Sequence, residues 1–459
     1  MTPHRQRLCL LLIGLSALLL RLAPLARPDL KFQTGWDAAD YIPLSQGIEH
    51  GCGFARYADG KCGSPDVSRP PGYPFFIAIM PGLRSVLVSQ AVLGAALCIW
   101  LGWFVAARWG GAAGLAAAAL LAIDVPSIVY GGMIMSDSLF QFLLAGAILL
   151  QLSAVIADEL TIKSVAMVLG GSALLAAAAM VRPTGIFLPL FAAIPFFLIR
   201  GSTWRRALAL ALLAFAIPAV LMLVWVARNR SVAGMDAMST DPGDVLFHYN
   251  APGVLAYATN QPFNEASAEL AHEIGWHGDP AKVPPALASR MMAKVIEVYA
   301  KHPVSAFVVT LRGLVLVAGV PDRNELNELI GTKGGGPLGL PPSFDIAARI
   351  RRTLNSPLLT SLVLAQLILV AFVWGGVARS LLRCDWSSKV EVACILVPLA
   401  MAFAMLLCAA SPDAHARFRV PAVPFLAMLA SIGWFGNADS SSRSDEAIIP
   451  GHQALSRRA

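Results

Sequence analysis

Residues 86–107 read VLVSQAVLGAALCIWLGWFVAA, with Arg84 just before the run and Arg108 at its end. No charged side chain interrupts it. As a helix rising about 1.5 Å per residue it reaches about 33 Å, enough to cross a hydrocarbon core of about 30 Å. Lipid is therefore the solvent for this segment, and the helix is the conformation in which a single strand of chain satisfies its own backbone groups there.

Similar runs lie on both sides. The sequence predicts spans over Leu8–Leu25, Ala112–Tyr130, Met133–Ile156, Val165–Val181, Gly185–Ile199, Ala207–Ala227, Leu358–Val377, Val390–Ala410 and Val420–Phe435. Pro74–Leu83 is too short to cross and is expected at the interface. Val304–Val320 is apolar enough to span, but Arg312 stands at its centre, so it reads as an interfacial or pocket-lining helix. The fold class is an all-α polytopic membrane protein with about ten transmembrane helices. Four regions follow: an N-terminal transmembrane module (1–227) containing a polar first loop (29–74), an extracytoplasmic region with interfacial helices (228–356), C-terminal transmembrane helices (357–436), and a Ser-rich charged cytoplasmic tail (437–459) whose composition predicts disorder.

Composition agrees. Of 459 residues, 57% are hydrophobic and 14% charged, with a mean hydropathy of +0.65; soluble domains carry roughly 25% charged residues. The net charge of +7 is not arranged as a basic stripe interleaved with aromatics, which argues against nucleic acid as a partner. Basic residues instead sort by side. With Met1 inside, the Arg108, Lys163, Arg200–Arg206 and Arg379–Lys389 turns fall inside, as the positive-inside rule requires. Arg182, Arg228, Arg230, Arg417 and Arg419 fall on the other side, next to membrane ends, and so many misplaced arginines at one interface point to an anion there.

That outer face also collects the unusual polar residues. The first loop opens Gly35-Trp36-Asp37-Ala38-Ala39-Asp40-Tyr41 and closes Arg69-Pro70-Pro71-Gly72-Tyr73-Pro74, where successive prolines stiffen the chain. Asp37 suits either an N-cap of a helix beginning near Ala38 or a functional carboxylate, and Asp40 fits the same helix one turn on, where it reads as a solvated side chain. Asp137 opens the fourth span as Met135-Ser136-Asp137-Ser138 and has the same two readings. Arg182, before Pro183, and the turn His415-Ala416-Arg417-Phe418-Arg419 suit either snorkelling to headgroups or a phosphate site. Cys52 and Cys62 share the first loop; in an oxidising compartment they are expected to form a disulfide, the alternative being two free thiols. The other five cysteines read as packing residues.

The order of these features resembles the bacterial membrane glycosyltransferases of the GT-C fold, akin to the protein mannosyltransferase and aminoarabinose transferase families. The residues that carry it are the Asp37 loop, Arg69-Pro70-Pro71-Gly72-Tyr73-Pro74, Asp137, Arg182-Pro183-Thr184-Gly185, Trp225-Val226-Ala227-Arg228-Asn229, and Arg417-Phe418-Arg419-Val420-Pro421 with Pro424. The resemblance implies Asp37 as catalytic carboxylate with Asp137 as its partner. It further implies a phosphate clamp of Arg182, His415 and Arg417, and substrate contacts from Asp40, Arg69, Tyr73 and Arg228. Many relatives pair Asp with Glu in the first loop, whereas Ala38 follows Asp37 here. The implied activity moves a sugar, with inversion, from a polyprenyl-phosphate donor to an extracytoplasmic lipid, glycan or protein at the bacterial inner membrane. A divalent metal is an optional cofactor, since no metal-ligand spacing is visible. The rival reading is a transporter or flippase of lipid-linked or anionic substrates, which predicts inverted repeats and midplane charges.

Sidedness is directly measurable. In intact cells, a cysteine introduced by Pro412→Cys is expected to react with an impermeant maleimide from outside, and one introduced by Ser387→Cys only after the membrane is opened.

Overall fold

The computed structural model describes residues 2–26, 37–157, 161–187, 204–277, 285–319, 357–412 and 414–436, with isolated positions at 189, 193, 196 and 197. Most of the sixth predicted span, the start of the first loop with Gly35 and Trp36, and the tail lie outside the described residues. Among the described residues eight helices are long and apolar enough to cross a membrane, or up to ten if each of two bent helix pairs forms one span.

In chain order, α1 (Pro3–Leu22) is followed by α2 (Ala38–Glu49), a two-stranded antiparallel hairpin β1 (Ala55–Ala58) and β2 (Lys61–Pro65), and the short α3 (Gly72–Ala78). The spans α4 (Leu83–Trp109), α5 (Gly111–Ala122) with α6 (Val125–Gly131), α7 (Asp137–Ile156), α8 (Ile162–Val181) and α9 (Trp204–Ala233) follow. The region after α9 contributes α10 (Asp241–Val245), a π turn (Leu246–Asn250), α11 (Ala251–Thr259), α12 (Phe263–Glu273), α13 (Pro285–Lys301) and α14 (Pro303–Gly319). The chain ends with α15 (Pro357–Arg383), α16 (Lys389–Cys408), a 3-10 segment (Ala416–Ala422) and α17 (Val423–Phe435).

Small residues set how closely the spans pack, because lipid gives apolar helices no hydrophobic reason to associate and contact has to come from shape. A Cβ added at Gly433 would lie 1.9 Å from the Gly376 carbonyl oxygen, so α15 and α17 touch backbone to backbone. Gly102 and Gly114 do the same for α4 and α5, at 2.4 Å from the Gly114 position to the Gly102 oxygen.

Several boundaries differ from the sequence reading. The third span is not one helix: α5 and α6 meet at a 50° bend, where the Asp124 carboxylate accepts from the Ser127 amide at 2.9 Å and Pro126 opens the new helix. Helix α7 starts at Asp137 rather than Met133, because residues 132–136 form turns. Helix α9 runs on to Ala233, so Arg228 and Asn229 lie within it instead of opening a loop. The piece expected over Pro74–Leu83 is helical only to Ala78, and Gly82, at φ +108, turns the chain into α4. Helix α14, which covers the ambiguous Val304–Val320 as far as Gly319, the last described residue there, meets α13 at 101°. Its Gly313 packs on the Ala410–Ser411 backbone at the outer end of α16, and Val317 accepts from Arg419 at 3.2 Å. Cys52 and Cys62 are joined across the hairpin.

Arg21, only 2% exposed, holds the break in the third span. Its guanidinium donates to the carbonyls of Leu121 (3.0 Å) and Ala122 (3.3 Å), the last carbonyls of α5, which the bend leaves without helical partners. Replacing it by Arg21→Met keeps most of the volume and strands those carbonyls. A loss of about 1–3 kcal/mol is expected, measured as a lower melting midpoint of the purified protein in detergent.

Candidate functional site

Local chain geometry aims the charged residues of the site at the same spot at one end of the bundle. Arg182 follows α8 and precedes Pro183; a residue before proline is driven out of the helical region, and Arg182 is extended (φ −138, ψ 139). Arg69 stands before Pro70 and Pro71, and Gly72 seats that turn on the end of α8, where a Cβ would meet the Met180 carbonyl oxygen at 2.7 Å. Arg417 lies in the 3-10 segment, whose Val420 carbonyl accepts from Gln141 of α7 at 2.6 Å.

The two aspartates choose between the readings the sequence left open. Asp37 occupies the N-cap position of α2 and Asp137 the first turn of α7, yet neither helix has a side-chain cap bond. Their oxygens go to arginines instead. Asp37 accepts from Arg417 through Oδ2 and from Arg69 through Oδ1 (3.3 Å); Asp137 accepts from Arg182 through Oδ1 and from Arg417 through Oδ2 (3.0 Å). Arg69 also binds Asp40 at 2.9 Å and Asp241 at 2.7 Å, and Arg56 joins Asp40 (2.8 Å) to Asp66 (3.0 Å). The result is an alternating ladder: Asp241, Arg69, Asp37, Arg417, Asp137, Arg182. Asp137, at its deep end, is fully buried, while Asp40 and Asp241 are 31% and 27% exposed.

Aromatic groups wall the ladder. Arg69 lies over Tyr41, Arg417 over Tyr130 and Phe418, and Arg182 over Phe140, all with ring-centroid distances of 5.5–6.0 Å. Tyr41 donates to Ser136 and packs edge-on against Tyr73 at 4.7 Å. The Tyr73 hydroxyl is turned away to Gln90 (2.6 Å), which in turn donates to the Gly131 and Met133 carbonyls. Burial pushes the Tyr41 phenol up to about 12. Burial also pushes Asp37 up, but Arg417 and Arg69 outweigh it and hold the carboxyl well below its ordinary 3.8.

Of the residues singled out from sequence, Asp37, Asp40, Asp137, Arg69, Arg182 and Arg417 share this ladder. His415 packs on Phe418 at the start of the same 3-10 segment, with ring centroids 4.4 Å apart. Arg228 lies apart from it, between the Trp225 and Phe54 rings, and donates to the carbonyls of Phe54 and Asp66, so it fastens the first loop to α9. Asp241 went unnoticed because it is one of several acids in a long polar region with no periodicity; only the fold carries it to Arg69. The donor set does not fit a metal. Asp37, Asp40 and Asp137 each have both oxygens on guanidinium groups, and among the described residues no group of three His, Cys, Asp or Glu side chains is set to hold one.

No family model and no curated protein matches the chain. Solved structures do. The oligosaccharyltransferase of Archaeoglobus fulgidus in the apo form aligns over 92% of this chain with a TM-score of 0.50 and 17% identity. This chain has the GT-C fold. It spans about half the length of the archaeal enzyme, 50% of that chain. ArnT from Cupriavidus metallidurans in the apo state aligns over 93% of this chain and 77% of its own, with a TM-score of 0.41 and 13% identity. The S. cerevisiae protein O-mannosyltransferase Pmt1–Pmt2 complex bound to the sugar donor aligns over 55% of this chain and 36% of its own, with a TM-score of 0.40 and 14% identity.

The ladder has a defined pH signature. Asp37 binds fewer protons in the folded than in the unfolded protein, so its stabilising contribution is full above its ordinary 3.8 and is lost as pH falls through the lower native value. Asp37→Asn is expected to lower the melting midpoint at neutral pH. The gap from the parent protein should hold down to about pH 4.5, still be mostly present near pH 3, and close only as the pH falls on through the native value, followed by tryptophan fluorescence in detergent.

Proposed function

We propose that the protein is a glycosyltransferase that moves a sugar from a polyprenyl-phosphate donor to an extracytoplasmic acceptor, at the bacterial inner membrane with the site on its outer face. The observation that carries the reading is one guanidinium, Arg417, shared by two carboxylates, Asp37 and Asp137, at one end of a GT-C bundle. A lipid-linked donor suits this compartment, where nucleotide sugars are absent, and a membrane-anchored phosphate suits arginines set at a membrane end.

In this reading Asp37 accepts the proton of the acceptor hydroxyl as that oxygen attacks the anomeric carbon. A bond forms from the acceptor oxygen to the carbon while the bond from that carbon to the phosphate oxygen breaks. The departing electron pair stays on the phosphate, and Arg417 and Arg182 stabilise the charge that develops there. Attack opposite the leaving group inverts the anomeric centre. The ion pairing also explains how a carboxyl held so acidic serves as a base. Phosphate competes with Asp37 for Arg417, and withdrawal of that cation raises the proton affinity of Asp37 only once the donor is seated. Burial of Asp137 against both Arg182 and Arg417 keeps the clamp in position. No step is drawn through a metal, given the donor set.

The test is transfer of radiolabel from undecaprenyl-phosphate sugars by the purified enzyme. Asp37→Asn is expected to lower kcat by about 10²–10⁴, the range for a general base. Arg417→Ala should raise the donor KM and lower kcat together. Wild-type turnover in the Asp37→Asn enzyme removes Asp37 as the base, and movement of the labelled lipid across the membrane without transfer favours a transporter.

A further inference from the structure

The carboxylates of the ladder are not equivalent. Asp37, Asp40 and Asp137 each spend both oxygens on arginines. Asp241 spends one: Oδ1 accepts from Arg69 at 2.7 Å, and Oδ2 has no partner among the described residues, in a side chain 27% exposed. Burial pushes its carboxyl above the ordinary value despite Arg69.

Its placement is built. Asn229, fully buried near the outer end of α9, donates to the carbonyls of Ala237 (2.9 Å) and Met238 (3.0 Å). Trp225 donates to Met238 from the same helix at 3.1 Å. The Thr240 amide then donates to the Val67 carbonyl at 3.1 Å, two residues before Arg69. Three anchors within four residues deliver Asp241 to the arginine from a different part of the chain.

Position along the ladder sets which substrate it meets. Arg417 and Arg182 form one end and Asp241 the other, with Asp37 between. If the phosphate takes the arginine end and the base stands in the middle, an in-line attack brings the acceptor from the Arg69 and Asp241 end. We propose that Asp241 is an acceptor-specificity residue, whose free oxygen receives a hydrogen bond from a second hydroxyl of a polyhydroxylated acceptor, beside the hydroxyl that attacks. The inference rests on the sugar-transfer reading and adds the side and the chemistry of acceptor recognition. It gives the outer region 228–356 a direct part in choosing the substrate.

The experiment uses the full-length enzyme in nanodiscs, radiolabelled undecaprenyl-phosphate hexoses and pentoses, and three acceptors: lipid A, methyl hexopyranosides and a threonine peptide. With a transferring pair, Asp241→Asn is expected to raise the acceptor KM tenfold or more while donor KM and kcat stay within about threefold, and Asp241→Glu is expected to recover part of the loss. Removing the second hydroxyl from the acceptor (a deoxy-hexoside) should cost the parent enzyme the same factor and the Asp241→Asn enzyme little more. An unchanged acceptor KM overturns the inference, as does a rise in donor KM or a fall in kcat like that of Asp37→Asn, which assigns Asp241 to holding Arg69. Transfer to the peptide alone overturns it too, leaving the sugar-transfer reading intact. A wild-type enzyme that transfers to none of the three fails that reading itself and takes this inference with it.

Discussion

One guanidinium ties one end of this bundle together. Arg417 reaches Asp37 across 380 residues of sequence and Asp137 across 280. Asp137 is fully buried, and a buried carboxylate with no partner is costly enough that its surroundings must supply cations. Loss of Arg417 would leave Asp137 with Arg182 alone and Asp37 with Arg69 alone. The first loop, the start of span four, the end of span five and the segment leading into the last span are thereby held to a common point. The same long-range charge pairing closes the bundle there.

The rest of the architecture serves that point. A continuous third span would carry Tyr130 past the site, whereas the 50° bend at Asp124 turns α6 so that Tyr130 lies under Arg417. The bend leaves carbonyls at the end of α5 unpaired inside the bundle, and Arg21 satisfies them. Gln90 does the same for the Gly131 and Met133 carbonyls while fixing Tyr73. Irregular backbone at membrane depth is thus matched, residue by residue, by a polar side chain from a neighbouring helix.

Much of this was legible. Asp37, Asp137, Arg182 and Arg417 stood out because charge beside an apolar span is expensive and has few reasons to be there. Arg69 stood out through its prolines. What failed to show was Asp241, whose neighbours in sequence are as polar as it is, and the separation of Arg228 from the ladder. Arg228 has the same look as the other outer arginines; only the Trp225 and Phe54 rings and the carbonyls of Phe54 and Asp66 reveal it as a fastener of the first loop. The break in the third span was written in Asp124 and Pro126, but an unbroken apolar run outweighed them.

Sequence alone determined that lipid is the solvent and roughly where most spans lie, because partition of apolar and charged groups between water and hydrocarbon is a local property of each segment. Tertiary structure decided which charges meet. Caps and ligands are made of the same residue types, and an aspartate before a helix becomes one or the other only when a remote arginine arrives to compete for its oxygens.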